Sequence, residues 1–516
     1  MKIKTLTILS ALVLANSAVF SQNQLDAYKI SQTDLNGTAR YMGMGGAFGA
    51  LGGDISAMHT NPAGLAVYRS SEVVTTLTLS SIATNTNWFG TTSDDKKTNF
   101  SFDNIAYVGY FPTSNDEGIV GWNVGFSYNR MKNFHRNYTT VGMGNERYSL
   151  ADYMAVRADG FDYRDLEDTD NHYPYGNSGM DLMSVMAYNS KFIGLRNGPD
   201  QYRSNYNAND LTDRKLVVSE KGAIDQYNIA FGMNISNRVM LGANIGITDI
   251  NYHYQSNYSE FYTNDGHLWY DNWKSTEGTG YNLNIGAIVQ PIDYLRLGVA
   301  YNSPTWYKIT DYIYSEGDNY DQDVHYNSES GMAPEYEFRS SDKWLFSAAV
   351  ILGKSALISV DYELVNYKNM KLYDFDGNVR EDQEITNEYI KSDFKAAGTL
   401  RVGAEVKVTP QFAVRAGAAW SQTSMKDQLK ELDVEVYPVG MIPHFTTDRS
   451  ITNYTVGFGY RFTPSFYMDL ACILRSQKED LYAYPRVFEQ GYEIASTPST
   501  LKTNTTRVAL TVGYKF

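Results

Sequence analysis

The sequence predicts an all-β fold, a 14-stranded antiparallel transmembrane β-barrel with an N-terminal hatch (a plug) inside the lumen. Three observations predict it. From Ser71 onward the chain alternates with a period of two. The connections alternate between short and long. A secretory leader precedes a chain that holds one cysteine, Cys472.

Composition narrows the function classes first. One cysteine in 516 residues excludes a disulfide scaffold, a CxxC redox pair and a multi-thiolate zinc site. Seven histidines, none paired at metal-ligand spacing, argue against a metal centre. No metal and no cofactor are expected. A net charge of −14 disfavours nucleic acid, which requires a basic face. Tyrosine outnumbers phenylalanine, 42 to 23, and mean hydropathy is −0.40 although 43% of residues are apolar. Many amphipathic rings in a polar chain suit strands that are half in contact with an apolar phase and half with a wet one.

Residues 1–21 read as a signal peptide. Lys2 and Lys4 form a positive n-region, Leu6 to Phe20 is mostly apolar, and Val19-Phe20-Ser21 suits cleavage before Gln22. No cysteine at that point marks a lipid anchor. Beyond it, no run of about 18 apolar residues is long enough for a membrane helix. Residues 22–70 do not alternate and hold eight glycines between Gly37 and Gly64. They are expected to form the hatch. Residues 71–516 then form the barrel.

Strands are expected at 71–87, 99–112, 118–132, 224–235, 238–254, 278–290, 294–309, 341–352, 355–368, 394–408, 411–424, 450–462, 465–478 and 503–516. In the last, Val508, Leu510, Val512, Tyr514 and Phe516 share one face, and Arg507, Ala509, Thr511, Gly513 and Lys515 the other. Tyr454 to Phe462 and Tyr227 to Ile235 repeat the pattern. Alternation alone fits a soluble sandwich as well as a barrel. Length and loop parity separate them. Every segment reaches the roughly 9–11 residues a tilted strand needs to cross a bilayer. Tight turns such as Ser236-Asn237, Gly353-Lys354, Thr409-Pro410 and Thr463-Pro464 alternate with long connections at 88–98, 133–223, 255–277, 310–340, 369–393, 425–449 and 479–502. Short periplasmic turns and long extracellular loops are the habit of bacterial outer-membrane barrels. Closure follows because lipid tolerates no unpaired sheet edge. Terminal Phe516 resembles the C-terminal signal read by the barrel-assembly machinery. The expected location is the Gram-negative outer membrane, as a monomer in contact with its lipid.

A barrel of this size needs filling, since about 8 strands pack shut and about 16–18 leave a channel. The filling segment carries Gly43-Met44-Gly45-Gly46-Ala47, Leu51-Gly52-Gly53-Asp54-Ile55-Ser56-Ala57 and Asn61-Pro62-Ala63. With the strand Leu295-Arg296-Leu297-Gly298-Val299-Ala300-Tyr301-Asn302-Ser303-Pro304, these stretches resemble the long-chain fatty-acid transporter family of FadL/TodX type. The resemblance covers the mature chain in architecture, and the hatch and one strand at motif level. It implies passive uptake of small hydrophobic molecules, fatty-acid-like or aromatic, with release linked to hatch movement and a lateral opening through a kinked strand. It transfers no ligand-binding residue. Gly43, Gly45, Gly46, Gly52, Gly53, Asp54, Asn61, Pro62 and Ala63 are the candidate gating residues. Glycine allows positive φ and close packing, so a plug built on it can shift at low cost. A phosphate loop is disfavoured, because no Gly-Lys-Ser/Thr follows.

Loop 133–223 is the expected outer lid. Ser149 and Asp152 open a helix that Gly160 closes. A second helix between Ser178 and Gly194 presents Met180, Met183 and Met186, exposed and polarizable, either as candidate ligand contacts or as a cap on the barrel mouth that binds nothing. Histidines 135, 172, 267, 325 and 444 fall in loops, where one could ligate iron in a haem or porphyrin receptor. The same strands also suit a polar porin, whose lumen would use Arg401, Glu405, Lys407, Arg415, Arg461 and Arg507. An adhesive surface protein and a phospholipase-like enzyme are the rivals from different classes. His253 with Asp249 is the sole hint of the enzyme, and no catalytic residue is assigned.

Overall fold

The computed structural model describes residues 23–516 apart from 145–146, 177–178, 264–265, 329–334, 354, 435 and 490–491. The leader, residues 1–21, lies outside the described residues. Alternating side chains build one closed sheet. Its strands are β1 (Glu72–Trp88), β2 (Thr91–Pro112), β3 (Ile119–Asn133), β4 (Leu211–Ile235), β5 (Val239–Tyr262), β6 (His267–Ile292), β7 (Leu295–Asn302), β8 (Lys343–Leu352), β9 (Ala356–Asn366), β10 (Ala396–Lys407), β11 (Phe412–Ser421), β12 (Phe445–Arg461), β13 (Phe466–Tyr482) and β14 (Ser499–Lys515). Each pairs antiparallel with the next, and β14 returns to β1 from Glu72↔Lys515 to Asn87↔Thr500, so the 14-stranded sheet has no free edge.

Exposure follows the alternation. Tyr454, Phe458 and Phe462 on β12 are 54%, 42% and 55% exposed, while Gly457 and Thr455 between them face inward and are covered. The apolar face therefore looks out and the small or polar face looks in, as lipid requires. Both ends of the sheet, Glu72 and Lys515, sit on the side of the short turns. The chain thus enters β1 from the periplasmic end of the lumen.

Several boundaries differ from those expected. Residues 88–98 are not a long loop: Phe89 and Gly90, at φ 52° and 86°, make a two-residue turn of the kind that suits strand twist, and β2 starts at Thr91. Likewise 255–277 is mostly strand, and β4, β5 and β6 run 25, 24 and 26 residues. These polar upper halves alternate too weakly in hydropathy to read as strand, yet the barrel wall continues through them above the membrane. The expected strand 294–309 is broken. Pro304 has no N–H to donate to a ladder, so β7 stops at Asn302 and pairing resumes only over Trp306–Asn319. Side chains patch the gap: Ser303 Oγ accepts from Leu283 N at 2.9 Å and Ser340 Oγ from Thr305 N at 2.8 Å.

Short helices precede the sheet and sit in the lumen, among them α1 (Gln24–Ser31) and the shorter α2 (Ala39–Gly43). Loops cap the barrel. There α3 (Leu150–Ala158) has Ser149 and Asp152 as a reciprocal capping box, the bonds being 3.1 and 2.8 Å. The helix α4 (Leu182–Asn189) starts on Asp181 and is buried nearly throughout.

Candidate functional site

The lumen is built around residues 23–70. Asn23 caps α1 through bonds of 2.9 Å from Leu25 N and Asp26 N. Asn23 Nδ2 also donates to Tyr437 O at 2.9 Å, and Gln32 Nε2 to Asp448 at 2.8 Å. This helix therefore hangs from the outer loops and upper wall. Below it the chain descends through α2 and the glycine-rich stretch to Asn61.

The glycine-rich stretch meets the wall backbone to backbone. A Cβ on Gly43 would lie 3.1 Å from Gly457 Cα, and one on Gly45, at φ +63°, 2.8 Å from Ala418 N. Phe48 N and Gly49 N donate to Asp361 at 3.0 and 2.8 Å, and Thr455 Oγ1 to Gly43 O at 3.0 Å. Gly46 packs on Leu35 and Tyr41. Gly52 packs on Gly64 and Val67. Gly53 N donates to Gly64 O at 3.0 Å. Asp54 accepts Thr38 Oγ1 at 2.9 and 2.8 Å and Ser56 N at 3.0 Å. Asn61 Nδ2 donates to Gly49 O at 2.6 Å while its Oδ1 accepts from Ala63 N, Pro62 presses on Gly242, and Ala63 is buried. All nine candidate gating residues thus lie in the plug, either at its wall contact or in the turns that shape it.

The firmest tie was not among them. Arg40 grips Glu405 with two bonds of 2.9 and 3.1 Å, and Arg415 joins Glu405 at 2.6 Å to Asp469 at 2.5 Å. Arg401 pairs with Glu363 at 3.1 Å, and Arg507 donates to Leu35 O at 2.7 Å and to Asn36. These lumen charges bind the hatch or one another. Lys407 and Arg461 stand near the periplasmic opening, beside a recess that also holds Arg40 and Tyr68.

Above the plug a cavity lies between α1 and the wall. Leu25, Tyr28, Phe134, Tyr254, Val439 and Ile442 give it an apolar side. The other side is charged: Lys29 and Arg136 share Glu220 at 2.9 and 2.7 Å, Arg475 holds Asp34 at 2.7 Å, and Lys274 holds Asp26. Burial disfavours the charge on Lys29, but Glu220 and Asp26 outweigh it and raise its pKa. Burial would raise Asp34, and Arg475, Arg507 and Lys132 bring it below the usual carboxylate range instead. The cavity can therefore accept a body that is greasy on one side and polar on the other.

Met180, Met183 and Met186 are not at this cavity. They are 8%, 0% and 0% exposed, in the core formed by the loops. The helix expected to be exposed is covered because α3, Phe192 and the tyrosines of the upper strands close over it. Of the loop histidines, His135 and His444 line the cavity. The His444 ring lies 5.1 Å from that of Tyr258, and its Nδ1 lies 2.6 Å from Ala483 O. His253 Nδ1 lies 3.0 Å from Ser275 Oγ on the outside of the barrel, but Asp249 is four residues along the strand, beyond reach of the ring.

The family model described as "Outer membrane protein transport protein (OMPP1/FadL/TodX)" matches residues 225–516, more than half of the chain. Among solved structures, a Pseudomonas aeruginosa FadL homologue is similar at TM-score 0.53 and 13% identity, over 94% of this chain and 99% of that one. The P. putida toluene transporter TodX gives 0.46 and 12%, and the Ralstonia pickettii toluene transporter TbuX 0.47 and 12%, each over 94% of this chain and 99% of theirs. Of these three only the first exceeds 0.5, and at that identity it bears on the fold. No curated protein matches the sequence.

Proposed function

The chain belongs to the OMPP1/FadL/TodX family of outer-membrane transport proteins, and from that premise we propose that it takes up small, largely hydrophobic molecules by passive diffusion through a gated barrel. The observation that carries this reading is the pairing of a half-apolar cavity with a plug directly beneath it that meets the wall through glycine backbone. Cargo enters past the loops and rests against Tyr28, Phe134 and Ile442. It leaves when the stretch from Gly43 to Gly53 shifts. Glycine backbone at Gly43 and Gly45 lets the stretch lie flat on the wall, while Met44, Phe48 and Leu51, buried against Ala349, Ala471 and Ile473, are the packing that such a motion must give up. The Arg40–Glu405 pair is the latch that such a motion must release. The barrel works as a single chain, with Phe516 (63% exposed) offered to the assembly machinery.

Reconstituted liposomes test this. A fluorescent fatty acid or a monoaromatic solute should enter faster than in protein-free liposomes, while sugars cause no swelling. Sugar-driven swelling at porin rates would overturn the reading.

A further inference from the structure

We propose that the outer face of β12, β13 and β14, where Arg449, Lys478 and Lys502 stand together above the apolar band, docks the phosphate-bearing headgroup of an outer-leaflet membrane lipid. The proposal does not depend on which cargo crosses the lumen.

On β13 the last strongly exposed apolar residue is Leu474, and Lys478 follows two outward positions higher. At about 3.3 Å per residue along a tilted strand, this sets its Cα some 10 Å above the hydrocarbon edge, at headgroup level. Lys478 and Lys502 are directly opposed on neighbouring strands, and both are exposed. Like charges in that position repel and weaken a sheet. Among the described residues, no carboxylate oxygen comes within 4.0 Å of either Nζ or of the flanking Lys96. Of the acids on this face, Asp480 is taken by Arg449 and Asp94 by Asn85 Nδ2 at 2.8 Å. Arg449 stands beside them on β12, its Nε fixed 2.5 Å from the buried carboxylate of Asp480, which leaves the rest of its guanidinium free to face outward. Ser450 and Asn504 add polar groups between the cations.

The repulsion stands out in a chain of net charge −14. On the opposite arc the same level carries acids, with Asp249 and Glu277 outward on β5 and β6, and its Lys308 is paired with Glu337 at 3.4 Å. A phosphate group complements the first arc better than the second. It would supply the anion that the lysine pair lacks, with lysine stems lying over the acyl boundary while their ammonium groups reach the phosphate.

The test is native mass spectrometry of the purified full chain, titrated in detergent with diphosphorylated lipid A, with its dephosphorylated form and with inorganic phosphate alone. The wild type should bind the phosphorylated lipid well above the other two. The Lys478→Gln/Lys502→Gln variant should bind it roughly thirtyfold more weakly, from about a factor of five per lysine near an anionic surface. A Lys478→Arg/Lys502→Arg variant should retain binding, and Lys308→Gln on the acidic arc should change nothing. Equal binding of phosphorylated and dephosphorylated lipid by the wild type overturns the proposal without recourse to any variant. So does a double-glutamine variant that loses no more than Lys308→Gln. Tight binding of inorganic phosphate alone would show an ion site in place of a lipid site, and would overturn it as well.

Discussion

Gly45 shows how one residue sets the fit of the plug. Its φ of +63° lies where a side chain strains the backbone, and a Cβ would press on Ala418 N at 2.8 Å. Gly45→Val should cost at least about 1–2 kcal/mol from conformation alone, with the steric push in addition. The wall is locked by its ladder and the plug is not, so the plug should yield. Planar-bilayer recordings should show raised basal conductance, with an unchanged heat-modifiable shift on gels. His59 makes a second point. It is half-buried in the plug, its Nδ1 shielded without a hydrogen-bond partner, near Tyr41. Burial, with Lys343 and Arg401 against a weaker pull from Glu363, lowers its pKa to about 4. A displaced plug would return it to an ordinary value near 6.5. The seated form thus binds fewer protons. Its advantage is complete above about pH 6.5 and falls away as pH drops towards about 4, by at most roughly 3 kcal/mol. Conductance should rise over that window, and His59→Gln should flatten the rise.

At the scale of elements, the sequence showed the membrane-crossing part of each strand because lipid imposes a strict alternation there. Tyr454 to Phe462 and Val508 to Phe516 are exposed on the apolar side as that pattern requires. The upper halves of β2, β4, β5 and β6 were not legible. Above the lipid their outer faces are no longer uniformly apolar, while residues such as Tyr254, Tyr258 and Tyr270 turn inward onto the cap, so the alternation weakens and backbone pairing to neighbours far away in sequence decides the conformation there. Phe89-Gly90 was missed as a hairpin turn because phenylalanine is an unusual occupant of positive φ. The break after β7 was written in Pro304 but hidden by the apolar run on either side. Met180, Met183 and Met186 are the opposite case, since the sequence leaves open whether their helix meets a ligand or caps the barrel mouth, and their burial puts them in the cap. A greasy helix in a loop signals an apolar partner without naming it, and here the partner is the cap itself. The hatch glycines were visible as composition. Arg40 was not, since the value of one arginine depends on Glu405, 365 residues away.

For the whole molecule, the wall and the plug are joined but not equally dependent on each other. The barrel closes through its own ladder, β1 on β14, without help from residues 23–70. The plug has no sheet of its own and is held by bonds to the wall at Asp361, Glu405, Thr455 and Arg507. Deleting residues 26–60 should therefore leave a folded barrel with its lumen open. Arg401 would keep Glu363 and Arg415 would keep Glu405 and Asp469, so the exposed lumen stays largely charge-balanced and wets readily. Single-channel conductance should rise from closed to porin-like, and sugars should now swell liposomes. Circular dichroism should keep its β-sheet signature, with only the small helical contribution lost. If conductance stays at the wild-type level in a barrel that still folds, the lumen is blocked by the outer loops, and residues 23–70 are not the gate.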